Sequence, residues 1–454
     1  MEAGGAISKR RRSGRGRARE VFADRISALP DPILGDIVSL LPTAQGARTQ
    51  ILASRWRHIW RSARLNLDCN DFRNRDFTGQ VRSILSSHPG PGRRFRISAR
   101  RIDKPSGRGN TRSAVVDAWI RFPALDNLEE LDVCYAEKDP LHPLSPFILR
   151  LATLCVVSLE NCNLSGSTAQ GVCLPKLTRL ALKQVSISES SLSDIIAGCP
   201  ALECLKIVAS FGFRCLRINS LSLITIGVRA YCSKMIGIQF RELIIENAPR
   251  LQRLLHLDGQ WSRSSEELHV SVLSVPKLET LSCVLDKNYL STVLSFGSMI
   301  VQGLNVDSLT VVVRTVKILD VALDYLSLDI VMNLMRCFPC LEKLYLQVAQ
   351  PCRTSEQNLW RHEYHNVARC LDIRLKTITL NSYRGSTYEV NFFTFFVMNV
   401  KALESVTLVV GAKKKEFIAE QSRKLQLENG ASRGVQFQFT TRLGASYFAD
   451  VHCP

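Results

Sequence analysis

The 454-residue chain has no run of 18 or more uncharged apolar residues, the minimum for a membrane-spanning helix. Its most apolar stretch, Val390 to Val410, is interrupted by Asn391, Asn399, Lys401 and Glu404, so a soluble protein is expected. Acidic residues are in deficit. There are 41 Asp and Glu against 59 Lys and Arg, a net charge of +18. Such a balance suits an acidic partner but bears on association, not on fold. No aromatic interrupts the densest basic run, Lys9, Arg10, Arg11, Arg12, Arg15, Arg17 and Arg19. Single-stranded nucleic acid would lack stacking platforms there. No apolar core follows that run, which excludes a secretory signal of the usual form. The 15 cysteines are odd in number and scattered singly from Cys69 to Cys453. They read as reduced thiols in the cytosol or nucleus, acting as small buried hydrophobes, and the Asn163 glycosylation sequon is expected to go unused.

Catalytic chemistry is scarce too. There is no phosphate-cradling G-x-x-x-x-G-K-[ST], and the chain is read as having no nucleophile elbow. His362-Glu363-Tyr-His365 misses zinc-protease spacing by one residue. Cys337-Phe-Pro-Cys340 is a C-x-x-C without a second pair. These, and the single Cys370, read as structural residues. No metal and no cofactor is expected.

What is present begins with a Gly/Arg-rich tail, residues 1–23, too polar to fold. Within it Lys9, Arg10, Arg11 and Arg12 are a nuclear import candidate, with a solvated tail and a nucleic-acid-contacting arm as alternatives. From Asp24 the pattern turns helical. Asp31 can cap a helix whose first residue is Pro32. Leu34, Ile37, Val38 and Leu41 follow at i, i+3, i+4 and i+7, widened by Ile33 and Leu40. Pro42 stops it, and a second helix is expected from about Thr43 through Ile51, Leu52, Trp56, Ile59 and Trp60. A unit this short cannot hide so many large apolar side chains within itself. It is either a helical cap on the next domain or a docking surface for another chain. Residues 66–112 read as an irregular connecting segment whose Arg93, Arg94, Arg96, Arg100, Arg101, Lys104, Arg108 and Arg112 face only Asp103 within their own window, 93–112. A solvated connector and an anion-binding surface both fit that run.

The remainder is a repeat. Pro-x-Leu-x-x-Leu-x-apolar occurs at Pro175/Leu177/Leu180/Leu182, Pro200/Leu202/Leu205/Ile207, Pro276/Leu278/Leu281/Cys283 and Pro339/Leu341/Leu344/Leu346. Variants sit at Pro249/Leu251/Leu254, Leu128/Leu131/Val133, Val316/Leu319/Val321 and Leu403/Val406/Leu408. A 20–29-residue period with L-x-x-L-x-L marks a leucine-rich repeat. Each copy points its leucines inward from a short strand while the chain returns by a helix or irregular turn. Roughly ten parallel strands would span an arc of about 45–50 Å. The expected fold is α/β: a small all-helical N-terminal unit, then an irregular solenoid with parallel strands on its concave face.

Asp24-Arg-Ile-Ser-Ala-Leu29-Pro30-Asp31, Leu40-Leu41-Pro42-Thr43 and Ser54-Arg55-Trp56-Arg57 with Trp60 together resemble the F-box of the large plant families. Those proteins follow the box with imperfect leucine-rich repeats and often end in a segment called FBD. Leu375-Lys376-Thr-Ile378-Thr-Leu380, Tyr383-Arg-Gly385, Glu389-Val390 and Asn399-Val400-Lys-Ala402-Leu403-Glu404 resemble that ending. Ala44 stands where a Lys is usual and Ala53 where a Ser is common, but neither change removes an apolar anchor. The resemblance divides the chain into an F-box at 24–65, the connector at 66–112, repeats at 113–360 and an FBD-like segment at 361–454. It implies a non-catalytic substrate-recognition subunit of an SCF-type ubiquitin ligase, located in the nucleus, the cytoplasm or both. Leu29, Pro30, Ile33, Leu34, Ile37, Leu40, Leu41 and Pro42 would be exposed anchors for a Skp-family adaptor hung from a cullin. Leu29, Ile33 and Leu34 are expected to dominate, with Trp56 and Trp60 packing the box. The substrate would be a protein held by the repeats. The alternatives are a ligase-independent binding scaffold with a vestigial F-box and, in a third class, a nuclear protein using residues 9–19 and 93–112 on nucleic acid.

Overall fold

A computed structural model describes residues 25–26, 28–72, 77–102, 111–136, 141–145, 147–164, 171–230, 237–256, 268–285, 292–296, 299–301, 312–350, 373–411, 415–425 and 434–441. Asp31–Ser39 (α1), Thr43–Arg48 (α2) and Ser54–Ser62 (α3) form the N-terminal helical unit. The long second helix expected from Thr43 is two helices, parted by a 3-10 turn at Thr49–Ile51 and an extended Ala53. Asp31 does not cap α1. Pro30 holds the N-cap position, and the Asp31 carboxylate instead accepts from Arg55 Nε of α3 at 2.6 Å.

From there the chain climbs one continuous ladder of parallel strands. In order these are Leu65–Asp68 (β1), Gly92–Ser98 (β2), Glu130–Cys134 (β3), Val156–Glu160 (β4) and Arg179–Lys183 (β5). Cys204–Val208 (β6), Thr225–Arg229 (β7), Arg253–His256 (β8), Thr280–Leu285 (β9) and Ile318–Leu323 (β10) continue it. Lys343–Val348 (β11), Thr377–Asn381 (β12), Ser405–Val409 (β13) and Gln436–Thr440 (β14) complete it. Fourteen strands at about 4.8 Å extend about 62 Å, longer than the ten-strand arc read from the repeats. Rungs outside the eight repeat copies include Leu65/Leu67, Phe95/Ile97, Leu154/Val157/Leu159 and Leu223/Ile226/Val228, all buried in the same inward row. β14 and the helix before it bring residues beyond Val410 onto the array.

Several rungs start or stop by the same local physics. The Pro-x-Leu turn seats a buried leucine three residues ahead of the first inward strand position. Immediately after the strand Asn161 (φ 57°), Gln184 (φ 52°), Ala209 (φ 51°) and Ser382 (φ 65°) adopt the left-handed region. That conformation is costly for a residue with a Cβ, and here it swings the chain off the ladder. Asn161 Nδ2 donates to Tyr135 O at 3.0 Å, which ties two neighbouring turns together. Glu279, Lys317, Glu342, Lys376 and Glu404 alternate along the strand-entry rim. Lys317 reaches Glu279 at 2.9 Å and Lys376 reaches Glu342 at 2.8 Å.

The face behind the ladder changes with local periodicity. Phe77–Ser87 (α4), Arg112–Ile120 (α5) and Glu189–Ala197 (α6) back the N-terminal rungs. Leu328–Cys337 (α7), Thr387–Asn399 (α8) and Lys415–Leu425 (α9) back the C-terminal ones. α8 opens on a capping box between Ser386 and Glu389 and buries Phe392, Phe393 and Phe396. In the middle the backing is a second sheet of Cys215–Asn219, Glu242–Asn247, Leu268–Val272, Thr292–Phe296 and Met299–Val301. There the apolar residues alternate (Leu216/Ile218, Leu243/Ile245, Leu268/Val270/Val272), a strand period and not a helical one.

The expected irregular connector at 66–112 is the clearest departure, because it supplies β1, α4 and β2. Its cations are matched from outside their own window. Arg96 Nε donates to Asp132 at 2.8 Å and its Nη1 lies 3.6 Å from Asp68. Arg93 lies 3.4 Å from Glu129, and Arg94 lies 3.4 Å from Glu130. Arg101 donates to the carbonyls of Cys69 and Phe72. A sequence window sees only near neighbours, whereas parallel pairing sets β2 beside β3, about 35 residues away.

Candidate docking surface of the helical unit

The helical unit divides its apolar residues between two surfaces. Leu34 and Val38 of α1 meet Trp56, Ile59 and Trp60 of α3 in a small core, all buried. With 100° per residue, Ile33, Ile37 and Leu40 form a second stripe of α1, about 100° around from the buried one. That stripe faces solvent: Ile33 is 47% exposed, Ile37 42% and Leu40 67%. Ile26, Ile51 and Leu52 are exposed as well, at 58%, 83% and 68%. Thirteen large apolar side chains are exposed among the described residues, and six of them fall within residues 26–52. Scattered exposed leucines are ordinary, but a concentration on one short unit marks an interaction surface.

The surface is held rigidly. Arg55 of α3 grips the start of α1 twice, through Asp31 and through the Leu29 carbonyl at 2.6 Å. Gly46 of α2 lies so close to the Trp60 ring that a Cβ there would come within 2.4 Å of it. Trp60 in turn packs on His88 after α4, ring centroids 5.0 Å apart. The buried His88 Nε2 contacts the Ala63 carbonyl at 3.0 Å, and burial pushes its pKa down, so the neutral ring is favoured. Thr43 Oγ1 donates to the Asn66 carbonyl, and Asn66 Nδ2 donates to the Ser39 carbonyl, pinning the unit to β1.

The expected anchors separate accordingly. Ile33, Ile37 and Leu40, with Pro30 and Pro42, are exposed, while Leu29 and Leu41 are half-buried. Leu34 is corrected. It is 0% exposed and belongs to the unit's own core, because it shares the inward stripe with Val38. Trp56 and Trp60 lie in that core. Ile26, Ile51 and Leu52 went unrecognised as surface residues. Lys9, Arg10, Arg11, Arg12, His362, Glu363, His365 and Cys370 lie outside the described residues.

Elsewhere, no three His, Cys, Asp or Glu side chains gather at metal-ligating distance among the described residues. Cys337 is buried, with its thiol pushed up to about 11 by desolvation, and Cys340 is half-buried. Gly430-Ala-Ser432-Arg-Gly434 does spell G-x-S-x-G, contrary to the reading of the sequence above. It falls between helix α9 and strand β14, whereas a nucleophile elbow runs from strand into helix. No helix among the described residues is long and apolar enough to cross a membrane.

The family model for the leucine-rich repeats of FBD-associated F-box proteins matches residues 116–346, and that for FBD matches residues 362–408. An F-box/FBD/LRR-repeat protein of Arabidopsis thaliana is 24% identical over 440 residues, 91% of this chain and 97% of its own length. An FBD-associated F-box protein of the same plant is 24% identical over 415 residues, 85% of this chain and 99% of its own. An F-box/LRR-repeat protein from that plant is 28% identical over 269 residues. This chain spans about half of that relative's length, 53%, through 56% of its own.

Proposed function

This chain belongs to the FBD-associated F-box proteins with leucine-rich repeats, and from that premise we propose that it is the substrate-recognition subunit of an SCF-type ubiquitin ligase. In this reading the helical unit docks on a Skp-family adaptor, itself carried by a cullin, and the repeats hold a protein substrate. The chain contributes no reacting group. It raises the local concentration of substrate lysines near the ubiquitin-loaded enzyme on the same scaffold. Import to the nucleus through Lys9, Arg10, Arg11 and Arg12 is a separate part of the proposal, read by the distribution of a fluorescent fusion with and without those residues.

The observation that carries the reading is the outward stripe Ile33, Ile37 and Leu40, together with the exposed Ile26, Ile51 and Leu52 of the same unit. Fully burying one such side chain contributes about 1.5–3 kcal/mol. Covering the exposed fractions of all six therefore supplies about 5–10 kcal/mol gross. Association and side-chain ordering cost several kcal/mol of that, so each member of the stripe matters to the net affinity.

The test is co-purification of the full chain with a plant Skp-family adaptor, wild type against Ile33→Asp/Leu40→Asp. Both side chains point to solvent, so the substitutions leave the core intact. Stable binding that the double variant loses supports the receptor reading. Absence of binding by folded wild-type protein overturns it, in favour of a ligase-independent repeat scaffold.

A further inference from the structure

Four cations stand on four successive strands, on the ladder face opposite the leucine row: Arg179 on β5, Lys206 on β6, Arg229 on β7 and Arg253 on β8. Their flanking residues Leu180, Leu205, Ile207, Ile226, Val228 and Leu254 are buried on the other face, which fixes the direction of all four. The pairing register sets Arg179, Cys204, Thr225 and Arg253 in one row. Lys206 lies in the next row, beside Ala181 and Gly227, and Arg229 in the row after, beside Val208. With strands about 4.8 Å apart and same-face residues about 6.7 Å apart, Arg179, Lys206 and Arg229 form a diagonal with steps of about 8 Å. Arg253 flanks it, about 14 Å from Arg179 along the first row.

These cations differ from the others on the ladder. Arg96 is matched by Asp68 and Asp132, Lys183 by Glu160, Lys317 by Glu279 and Lys376 by Glu342. None of the four has an ion pair or a side-chain hydrogen bond among the described residues. Lys206, Arg229 and Arg253 are nonetheless half-buried, and Arg229 Nε is withdrawn from solvent without an acceptor. A donor in that state costs stability, which an acceptor from outside the fold would restore.

The surroundings select the class of partner. Ala181, Cys204, Thr225, Gly227 and Val208 form a floor of small side chains that is itself largely buried, with Cys204, Thr225 and Val208 only 6–7% exposed, so a partner meets the cations that stand above it and not the strands themselves. An extended peptide repeats its same-face side chains about every 6.7 Å, close to the 8 Å step between the cations. The floor has no aromatic platform for base stacking, which disfavours single-stranded nucleic acid.

We propose that strands β5–β8 dock an extended acidic segment of a protein, with carboxylates two residues apart meeting Arg179, Lys206 and Arg229 in turn. This rests on the reading of the repeats as the substrate-holding part and names the chemistry of that substrate.

The experiment is fluorescence anisotropy of a labelled peptide of alternating Glu and Ser against the full chain. An alternating Gln and Ser peptide and a single-stranded oligo-dT serve as comparison probes. Lys206→Gln/Arg229→Gln is expected to weaken Glu-peptide binding about tenfold. Arg336→Gln/Arg423→Gln, which removes equal charge from exposed helix positions, should leave it within about twofold. Lys206→Gln alone, beside small neighbours, is the second variant should the double variant fail to fold. It is expected to weaken binding about threefold. Equal losses in the patch and control variants overturn the proposal, as does a wild type that ignores the Glu peptide or prefers oligo-dT. Adaptor co-purification on the same preparations separates the two ideas. Adaptor binding without peptide binding sinks this proposal alone, and peptide binding without adaptor binding sinks the ligase reading alone.

Discussion

Replacing Asp320 by Asn should remove a pH dependence that the buried carboxylate imposes on the whole ladder. Asp320 sits on β10 between Ser282 of β9 and Tyr345 of β11 and is 3% exposed. Ser282 Oγ donates to it at 2.9 Å, and Gln347 Nε2 donates to both its oxygens at 3.1 Å. Desolvation outweighs these donors and pushes its pKa up to about 6. A carboxyl raised in the folded state binds its proton more tightly there than in the unfolded chain. Its stabilising contribution is therefore complete below about pH 4 and is lost as pH rises through about 6. A displacement of about two pH units corresponds to about 3 kcal/mol, of which about 2 kcal/mol falls between pH 4.5 and 7.5. Glu342 and Glu420 run the other way, since hydrogen bonds from Lys376 and Lys424 hold their carboxyls low. Their contributions cancel in the difference between wild type and variant. Urea unfolding followed by circular dichroism should show Asp320→Asn gaining about 2 kcal/mol on wild type from pH 4.5 to 7.5. A difference that stays flat across that range would refute the assignment of a desolvated, ionising Asp320.

Three further outcomes follow from the same packing. Leu34→Ala should cost about 2–5 kcal/mol, and Ile33→Ala on the next position less than about 0.5 kcal/mol, read by thermal unfolding of the helical unit. Gly46→Ala must displace the Trp60 ring, so it should destabilise by about 1–3 kcal/mol and red-shift tryptophan emission. Unchanged emission would show that the ring has room to move. Iodoacetamide with peptide mapping should find exposed Cys173 alkylated well before the buried Cys162 and Cys199. Burial pushes those two thiols up to about 12 and about 11.

The sequence disclosed most where a pattern repeats and least where partners are distant. Leu177/Leu180/Leu182 and its copies announced strands because period-two alternation and a turn proline recur together. β1 and β2 stayed hidden because Leu65-Asn-Leu67 is too short a pattern, and Phe95/Ile97 stands among arginines whose partners Glu130 and Asp132 lie on the next rung. The expected anchor stripe mixed two faces of one helix. Periodicity groups Leu34, Ile37, Val38 and Leu41, yet only the position of α3 decides which edge of that arc is covered. Leu34 went inward and Ile33 outward by one residue's rotation. The diagonal of Arg179, Lys206, Arg229 and Arg253 was illegible for the same reason, since its members are 23 to 27 residues apart and register alone aligns them.

The manner in which the helical unit joins the ladder bears on what the proposed receptor could do. α3 ends at Ser62 and β1 begins at Leu65, so no flexible linker intervenes. Rotating the unit about Ala63 and Arg64 would separate Trp60 from His88 and break both side-chain bonds at Asn66. It would also part Arg64 Nη1 from Glu129, 2.5 Å away. A Cβ at Gly90 would meet the Ala63 carbonyl at 2.3 Å, so the turn into β2 is pressed against the unit's last residue. The unit is thus the first layer of the solenoid, and the β5–β8 cations lie four to seven strand spacings, about 19–34 Å, from the strand it caps. A substrate held there and an adaptor held on Ile33, Ile37 and Leu40 would be placed by one stiff body. Where proximity is the whole catalytic contribution, that fixed offset determines which substrate lysines come within reach, a selection made by shape after the acidic segment has bound.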